Sequence, residues 1–436
     1  MRRVLTRQRA RRSPLWRATQ ASAVVVSVVF AGHASGVAAT PGRSLGVFID
    51  QSARVPYVAE VDTVATDVEL VDVDADGDLD LFLTRGDLAG GLRTNQLFLN
   101  DSTGNFRLSP TAAGARPGDY NDAEFGDVNG DGRLDVVLST TLTTVGLLFH
   151  HPVHGRFTDK TDRLPSGQPV NVTIEARLFD AEGDGDLDIV TAVENPFGPG
   201  AQDRLFLNVG KGRFEDATSN LPVMSVQSSS SAIGDFDGDR DSDIIVVNNG
   251  PFVYLENRGD AHFEATAGRL PAQATDRQSG RDAVVADFDG DEDLDVMFAM
   301  SRANPGPMLW LNDGTGTFTD ASQTNVPLAI RAGQDLEICD LDTDGDADVI
   351  EANSGPVLPP GIDHRFAGAR DRVLLNDGEG SFTDVSDELF ADAAVDASFA
   401  VACGDIDADG DNDIVVGNGK EERVRAYVQS SPNVDG

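Results

Sequence analysis

Nine-residue acidic segments of the form D-x-[DNE]-x-D-x-x-x-D recur seven times in this chain, and a repeat of that kind constrains the fold more than any other feature. They read DVDADGDLD from Asp72, DVNGDGRLD from Asp127, DAEGDGDLD from Asp180, DFDGDRDSD from Asp235, DFDGDEDLD from Asp287, DLDTDGDAD from Asp340 and DIDADGDND from Asp405. Successive starts lie 55, 53, 55, 52, 53 and 65 residues apart. A period of this length means one supersecondary unit copied along the chain.

The text around each segment repeats as well. An apolar, often β-branched run follows (Leu81 to Leu83, Val136 to Leu138, Ile244 to Val247, Val296 to Phe298). A second apolar stretch mostly ends in Asn (Asn100, Asn208, Asn312, Asn376), and a tight Gly turn then leads to Phe106, Phe157, Phe214, Phe263, Phe318 or Phe382. With the short run before each acidic segment, every unit reads as four short strands, and no segment has the length and periodicity of an ordinary helix. Units of about 50 residues with four strands each suit radial closure, which protects sheet edges. The expected fold is all-β: a seven-bladed β-propeller of four-stranded blades. Gly46 to Asp50 matches the Gly-x-Phe strand of the other units but precedes the first acidic segment, while the last unit lacks one. The strand of Phe48 is therefore expected to complete the seventh blade.

Alternating oxygen donors on a curling loop suit a hard cation, and calcium takes six to eight oxygens in flexible geometry. The candidate donors are Asp72, Asp74, Asp76, Asp78 and Asp80; Asp127, Asn129, Asp131, Arg133 and Asp135; Asp180, Glu182, Asp184, Asp186 and Asp188; Asp235, Asp237, Asp239, Asp241 and Asp243; Asp287, Asp289, Asp291, Asp293 and Asp295; Asp340, Asp342, Asp344, Asp346 and Asp348; and Asp405, Asp407, Asp409, Asp411 and Asp413. Arg133 at the seventh position points to a backbone carbonyl donor there. The sixth position is Gly in five copies but Arg240 and Glu292 in the fourth and fifth. A left-handed backbone costs a non-Gly residue roughly 1 kcal/mol, so up to seven calcium ions are expected, held most weakly by the loops from Asp235 and Asp287. Mg²⁺ demands stricter geometry and keeps its waters. Of the 73 acids, 34 fall within these segments, a density that solvated turns without a counter-ion would not tolerate.

Position 12 of an EF-hand is Glu; here it is Leu83, Leu138, Thr191, Val246, Phe298, Glu351 or Val416, and strand follows rather than helix. The acidic loops, the Phe-containing strands and the Leu-Asn-Asp-Gly turns (Leu311 to Gly314, Leu375 to Gly378) resemble the FG-GAP/VCBS repeat family, whose best-known fold relative is the integrin alpha-chain propeller. The resemblance spans about Gly46 to Val428. It implies calcium in the loop between the first and second strands of each blade, with ligand roles carried to Asp72, Asp74, Asp76, Asp78, Asp80 and their counterparts.

The amino terminus reads as an export signal. Seven Arg and no acid precede the apolar stretch Ala21 to Gly32 and small residues through Ala39, so 1–39 is expected to be a cleaved signal peptide, 40–45 a linker, 46–430 the propeller and 431–436 a disordered tail. The h-region is too short to span a bilayer. A formal charge of -39 argues against a nucleic-acid partner. Cys339 and Cys403 lie one and two residues before neighbouring loops; side-chain alternation along a strand suggests that they point apart.

Propeller geometry puts the acidic loops and tight Gly turns on one face and the long, dissimilar loops on the other: 84–96, 194–204, 223–232, 275–282 and 354–372. Function on a rigid scaffold usually sits on such loops. The expected function is a secreted, periplasmic or cell-surface, monomeric, non-catalytic recognition or adhesion module for an extracellular protein or glycan. The alternative is a carbohydrate-binding protein, or a polysaccharide lyase using His364 and Arg365. Arg85-Gly86-Asp87 spells an adhesion tripeptide, and His150, His151 and His154 cluster as possible transition-metal donors; an accidental match and a solvated turn are the simpler readings.

Overall fold

In every unit the β-branched runs and the alternating stretches pair as antiparallel strands, and the units give seven four-stranded sheets. The computed structural model describes residues 46–56, 63–87, 93–109, 118–141, 145–150, 156–167, 171–195, 198–272, 279–301, 306–329, 332–356, 367–389, 395–419 and 424–430. Residues 1–45 and 431–436, which hold the expected signal peptide, linker and tail, lie outside the described residues, as do His151, His154, His364 and Arg365.

The first strands of the blades (Thr63–Val71, Tyr120–Gly126, Val172–Phe179, Ser228–Gly234, Gly280–Ala286, Gly333–Cys339 and Ser398–Gly404) touch one another in a closed cycle. They therefore line the axis of a seven-bladed propeller. Each contains a bulge against its second strand, between Ala65 and Asp67 in the first blade and at the equivalent place in the other six. The strand Val47–Asp50 pairs with Arg425–Ser430 as the outermost strand of the seventh blade, so the two chain ends are clasped as the sequence predicts.

The core lies between blades rather than inside one. Seven hydrophobic clusters each draw on two neighbouring sheets, as where Phe236, Phe252 and Tyr254 of the fourth blade meet Phe298, Trp310 and Phe318 of the fifth. Phe48 and the six Phe residues that follow the Gly turns are all buried. The five described departures from strand are single turns: 3-10 turns at Ser52–Arg54, Thr161–Arg163 and Thr218–Asn220, and helical turns at Ser322–Asn325 and Ser386–Leu389. No helix among the described residues is long and apolar enough to cross a membrane.

Cys339 and Cys403 form a disulfide between the first strands of blades six and seven, with Cα atoms 6.2 Å apart. The expectation that they point apart is corrected, and the reason is geometric. Neighbouring blades meet through opposite faces, so residues whose positions differ by one in equivalent strands are the ones that face each other across the boundary. Cys339 accordingly packs in one cluster with Val401 and Val416 of the next blade.

Candidate functional site

Each acidic loop joins a first to a second strand and is closed by its own carboxylates. The first Asp accepts backbone N–H groups at the fifth and sixth positions, as in Asp127 with Asp131 and Gly132 at 3.0 and 2.7 Å. The fifth accepts from the seventh, as in Asp184 with Asp186 at 2.9 Å. The sixth residue has positive φ in all seven loops, Arg240 (80°) and Glu292 (76°) included, as the sequence predicts.

The fourth position is left-handed as well, which the sequence reading missed. Gly130, Gly183, Gly238 and Gly290 adopt it freely, but Ala75, Thr343 and Ala408 are held there at φ 60°. Loops one, four, five, six and seven each contain one strained non-Gly residue, and loops two and three contain none. Backbone strain therefore does not single out loops four and five. The β-branched Thr343 is the least suited of the strained residues.

The ninth Asp has a role of its own. It is buried in all seven copies, and its Oδ1 accepts the backbone N–H that ends the third strand: Asn100, His150, Asn208, Asn257, Asn312, Asn376 or Gln429, at 2.7 to 2.9 Å. In five loops its Oδ2 accepts the N–H of the loop's second residue, such as Phe288 with Asp295. Burial pushes these carboxyls up, to about 7 for Asp80, Asp135, Asp243 and Asp413 and about 8 for Asp188, Asp295 and Asp348.

The Asn at the end of the third strand links blades. Asn312 Nδ2 donates to Phe236 O of the preceding blade's loop at 2.8 Å, and Asn100, Asn208, Asn257 and Asn376 do the same to Ile406, Val128, Ala181 and Phe288. Only the Asn ending was visible in the sequence, since a bond to another blade leaves no local pattern. Asn312→Ala is expected to cost about 1 to 3 kcal/mol, because a buried carbonyl loses its donor; the urea midpoint measures it, and an unchanged midpoint would contradict the link. The Gly turns fit the loops too: a Cβ on Gly314, already at φ 71°–72° like Gly316, would collide with the Asp293 carboxylate.

Five loops gather three carboxylate oxygens within 4.8 Å of one another: Asp72, Asp74 and Asp80; Asp235, Asp237 and Asp239; Asp287, Asp289 and Asp291; Asp340, Asp342 and Asp344; Asp405, Asp407 and Asp413. The second and third loops do not, since Asn129 donates to Asp135 at 2.6 Å and Glu182 turns onto Asp188. The Arg133 guanidinium turns to Asp131 at 3.3 Å, leaving no side-chain oxygen at that seventh position. Buried oxygens with no hydrogen-bond donor remain at Asp78, Asp237, Asp289, Asp340 and Asp407, and at Glu182. Hard oxygens, clustered, buried and short of donors, fit a calcium ion.

A second set of acids was not singled out from the sequence. On the channel-lining strands, the residue after each bulge and the one two further on are Asp67 and Glu69, Asp122 and Glu124, Glu175 and Arg177, Asp282, Asp335 and Glu337. The fourth blade has Ser230 and Ala232 there, the fifth has Val284 after Asp282, and the seventh has Ala400 and Ala402. Asp67, Asp122, Glu175, Asp282 and Asp335 accept backbone N–H groups of Ala123, Ala176, Ser231, Leu336 and Val401 at 2.8 to 3.2 Å. Each bond runs to the next blade, so these carboxylates tie the ring around its axis.

Burial raises the carboxyls of three channel residues, to about 7 for Glu124 and about 8 for Glu175 and Glu337. The folded state therefore holds more protons than the unfolded chain between about pH 4.5 and 8, and this contribution to stability is lost as pH rises. Glu175→Gln, which has nothing to protonate, is expected to gain on the parent protein by about 1 kcal/mol per pH unit between pH 5 and 8. Chemical denaturation of both proteins across that range checks it; a constant difference would contradict it.

A model of the FG-GAP-like repeat matches residues 66–138, 180–246, 235–298, 287–351 and 365–416. The chain belongs to the FG-GAP repeat family. No curated protein sequence matches it. Among solved structures it is similar to an Agrocybe aegerita lectin described with specific recognition of non-reducing terminal N-acetylglucosamine, at 19% identity and TM-score 0.47, covering 74% of this chain and 79% of that one. It is also similar to the Photorhabdus luminescens Tc holotoxin pore, at 20% identity and TM-score 0.39, where 71% of this FG-GAP chain corresponds to 14% of the toxin chain.

Proposed function

We propose that this FG-GAP protein is an exported, calcium-stabilised propeller that acts as a non-catalytic recognition module for an extracellular protein or glycan. The observation that carries the reading is the contrast between its faces. One face repeats seven similar acidic loops locked to Gly turns, while the opposite face carries connections of unequal length. Val223, Leu328 and Val395 stand 99%, 68% and 58% exposed on blade-to-blade connections of that second face, giving apolar contact points on a rigid frame.

Calcium would be held by the acidic loops, with the gathered carboxylates of loops one, four, five, six and seven as the first-filled sites. When bound it supplies positive charge that neutralises crowded acids and fixes the rim. The ninth Asp keeps its backbone partners, and the first and fifth shape the loop.

Other features support a binding rather than a catalytic role. Tyr254 donates its phenol to Asp243 at 2.5 Å, and burial pushes both it and Tyr427 above the ordinary tyrosine range, which suits neither as a base. The Arg85-Gly86-Asp87 tripeptide is not a displayed loop: it ends a strand, and Arg85 is 1% exposed.

The test is a glycan array probed with the calcium-loaded full chain, alongside incubation with acidic polysaccharides. Binding without product release is the expected result. Release of unsaturated or hydrolysed products would overturn the non-catalytic reading, and a blank array would direct the search to protein ligands.

A further inference from the structure

Beyond the outermost strand of three blades, an Arg reaches across the blade boundary to a carbonyl of the next Gly turn. Arg54 Nη1 donates to Thr103 O at 2.9 Å, Arg163 Nη1 to Lys211 O at 3.2 Å, and Arg269 Nη1 to Thr315 O. The three acceptors hold the same place, directly before a positive-φ Gly (Gly104, Gly212 and Gly316). Blade five makes a neutral version of this latch with Asn325, whose Nδ2 donates to Gly380 O at 3.0 Å.

In blades seven and four the guanidinium also faces the acidic loop of its own blade. Arg54 Nη1 lies 3.7 Å from Asp407 Oδ2, and Arg269 Nη2 lies 3.7 Å from Asp237 Oδ2. Both acids are the third residue of their loop, and in both the other oxygen, Oδ1, is buried without a hydrogen-bond donor. Blade two has Asn129 at that position, and Arg163 lies over the Phe149 ring instead, at 5.7 Å. Arg269 is held from two more sides, by Glu256 Oε2 at 3.5 Å and by the Tyr254 ring at 5.8 Å. The neighbouring turns fit closely: a Cβ on Gly104 would stand 2.8 Å from Arg54 Nη1, and one on Gly316 would stand 3.3 Å from Asp237 Cβ. Loop, guanidinium and the next blade's turn therefore pack as one unit.

A guanidinium does not lose its charge in a protein, so it neutralises part of an empty loop permanently. The same charge repels a divalent ion that enters beside it. We propose that Arg269 and Arg54 are built-in counter-cations of loops four and seven. They latch these loops to blades five and one when no ion is bound, and they make them the last of the five gathered sites to take up calcium. The inference rests on the reading that calcium fills the acidic loops. Loop five meets no such opposition from its neutral Asn325 latch.

Urea unfolding of the full chain in excess chelator and in about 1 mM calcium tests this, with Arg269→Gln, Arg269→Lys and Asp237→Asn. The rise in midpoint on adding calcium is expected to be larger in Arg269→Gln than in the parent, by the amount that a roughly tenfold tighter loop four supplies. Arg269→Lys, which keeps the charge, should rise as the parent does. In the Asp237→Asn background, Arg269→Gln should no longer alter the rise, since the shared carboxylate is gone. A purely structural Arg would lower the midpoint equally in both conditions; that result, or a smaller rise in Arg269→Gln, would overturn the counter-cation while leaving the calcium reading intact. A parent whose midpoint ignores calcium would overturn both.

Discussion

Chelation of calcium is expected to unfold the propeller or bring it to the edge of unfolding. Extracellular calcium sites commonly bind at about 0.1 to 1 mM. At about 1 mM calcium, a site with a dissociation constant of about 0.1 mM adds about 1.4 kcal/mol to the folded state. Seven such loops would add about 10 kcal/mol, against a total of about 5 to 15 kcal/mol for a typical domain. The source of the effect is visible in the loops. Three acids crowd within 4.8 Å in five of them, and desolvation and neighbouring acids raise Asp237, Asp289 and Asp407. Thermal unfolding in about 1 mM calcium and in excess chelator measures the difference. Coincident curves would mean that the loops are self-sufficient turns and that calcium does not hold this fold.

The loops differ in what they offer, and the difference refines the titration. Loop two has Asn129 and Arg133 where others have acids, and its Asn129 already bonds Asp135. Charge count therefore ranks it low, whereas strain, once expected to rank loops four and five lowest, is shared with loops one, six and seven. Microcalorimetry on single-loop variants would resolve the order.

Much of this molecule is legible in its sequence because each blade is local. Strand, acidic loop, strand and Gly turn follow one another within about 50 residues, and the displaced Phe48 strand shows where the ring closes. The relations that escaped notice run between blades. Asn312 reaches Phe236 across 76 residues, and Asp67 reaches Ala123 across 56. The repeated Asn was noticed, but its partner is a backbone carbonyl, which carries no sequence mark. The channel acids are harder still to read. They stand at alternate positions of strands that otherwise look like any half-buried strand, and only the bulge tells which alternate side chains face the axis. The left-handed fourth loop position is hidden for a similar reason: Gly fills it in four loops, but Ala or Thr does in the other three, so comparison of the copies shows no rule.

Breaking the disulfide with Cys403→Ser is expected to cost about 4 kcal/mol, the loop-closure value for a bridge of this span; the sequence separation is 64 residues. The bridge does not close the ring. Closure rests on the pairing of Val47–Asp50 with Arg425–Ser430, which is non-covalent. What the bridge does is bind the sixth blade to the seventh beside two acidic loops, because Cys339 directly precedes Asp340 and Cys403 lies two residues before Asp405. The clasping strand is thereby attached to a covalently joined pair of blades rather than to one short sheet. Urea unfolding of the variant, compared with the parent under oxidising conditions, should show the loss, and calcium titration should show weakening confined to loops six and seven. An unchanged urea midpoint would show that packing among Cys339, Val401 and Val416 already holds the two blades together. Uniform weakening at all seven loops would show instead that the ring responds as a single cooperative body.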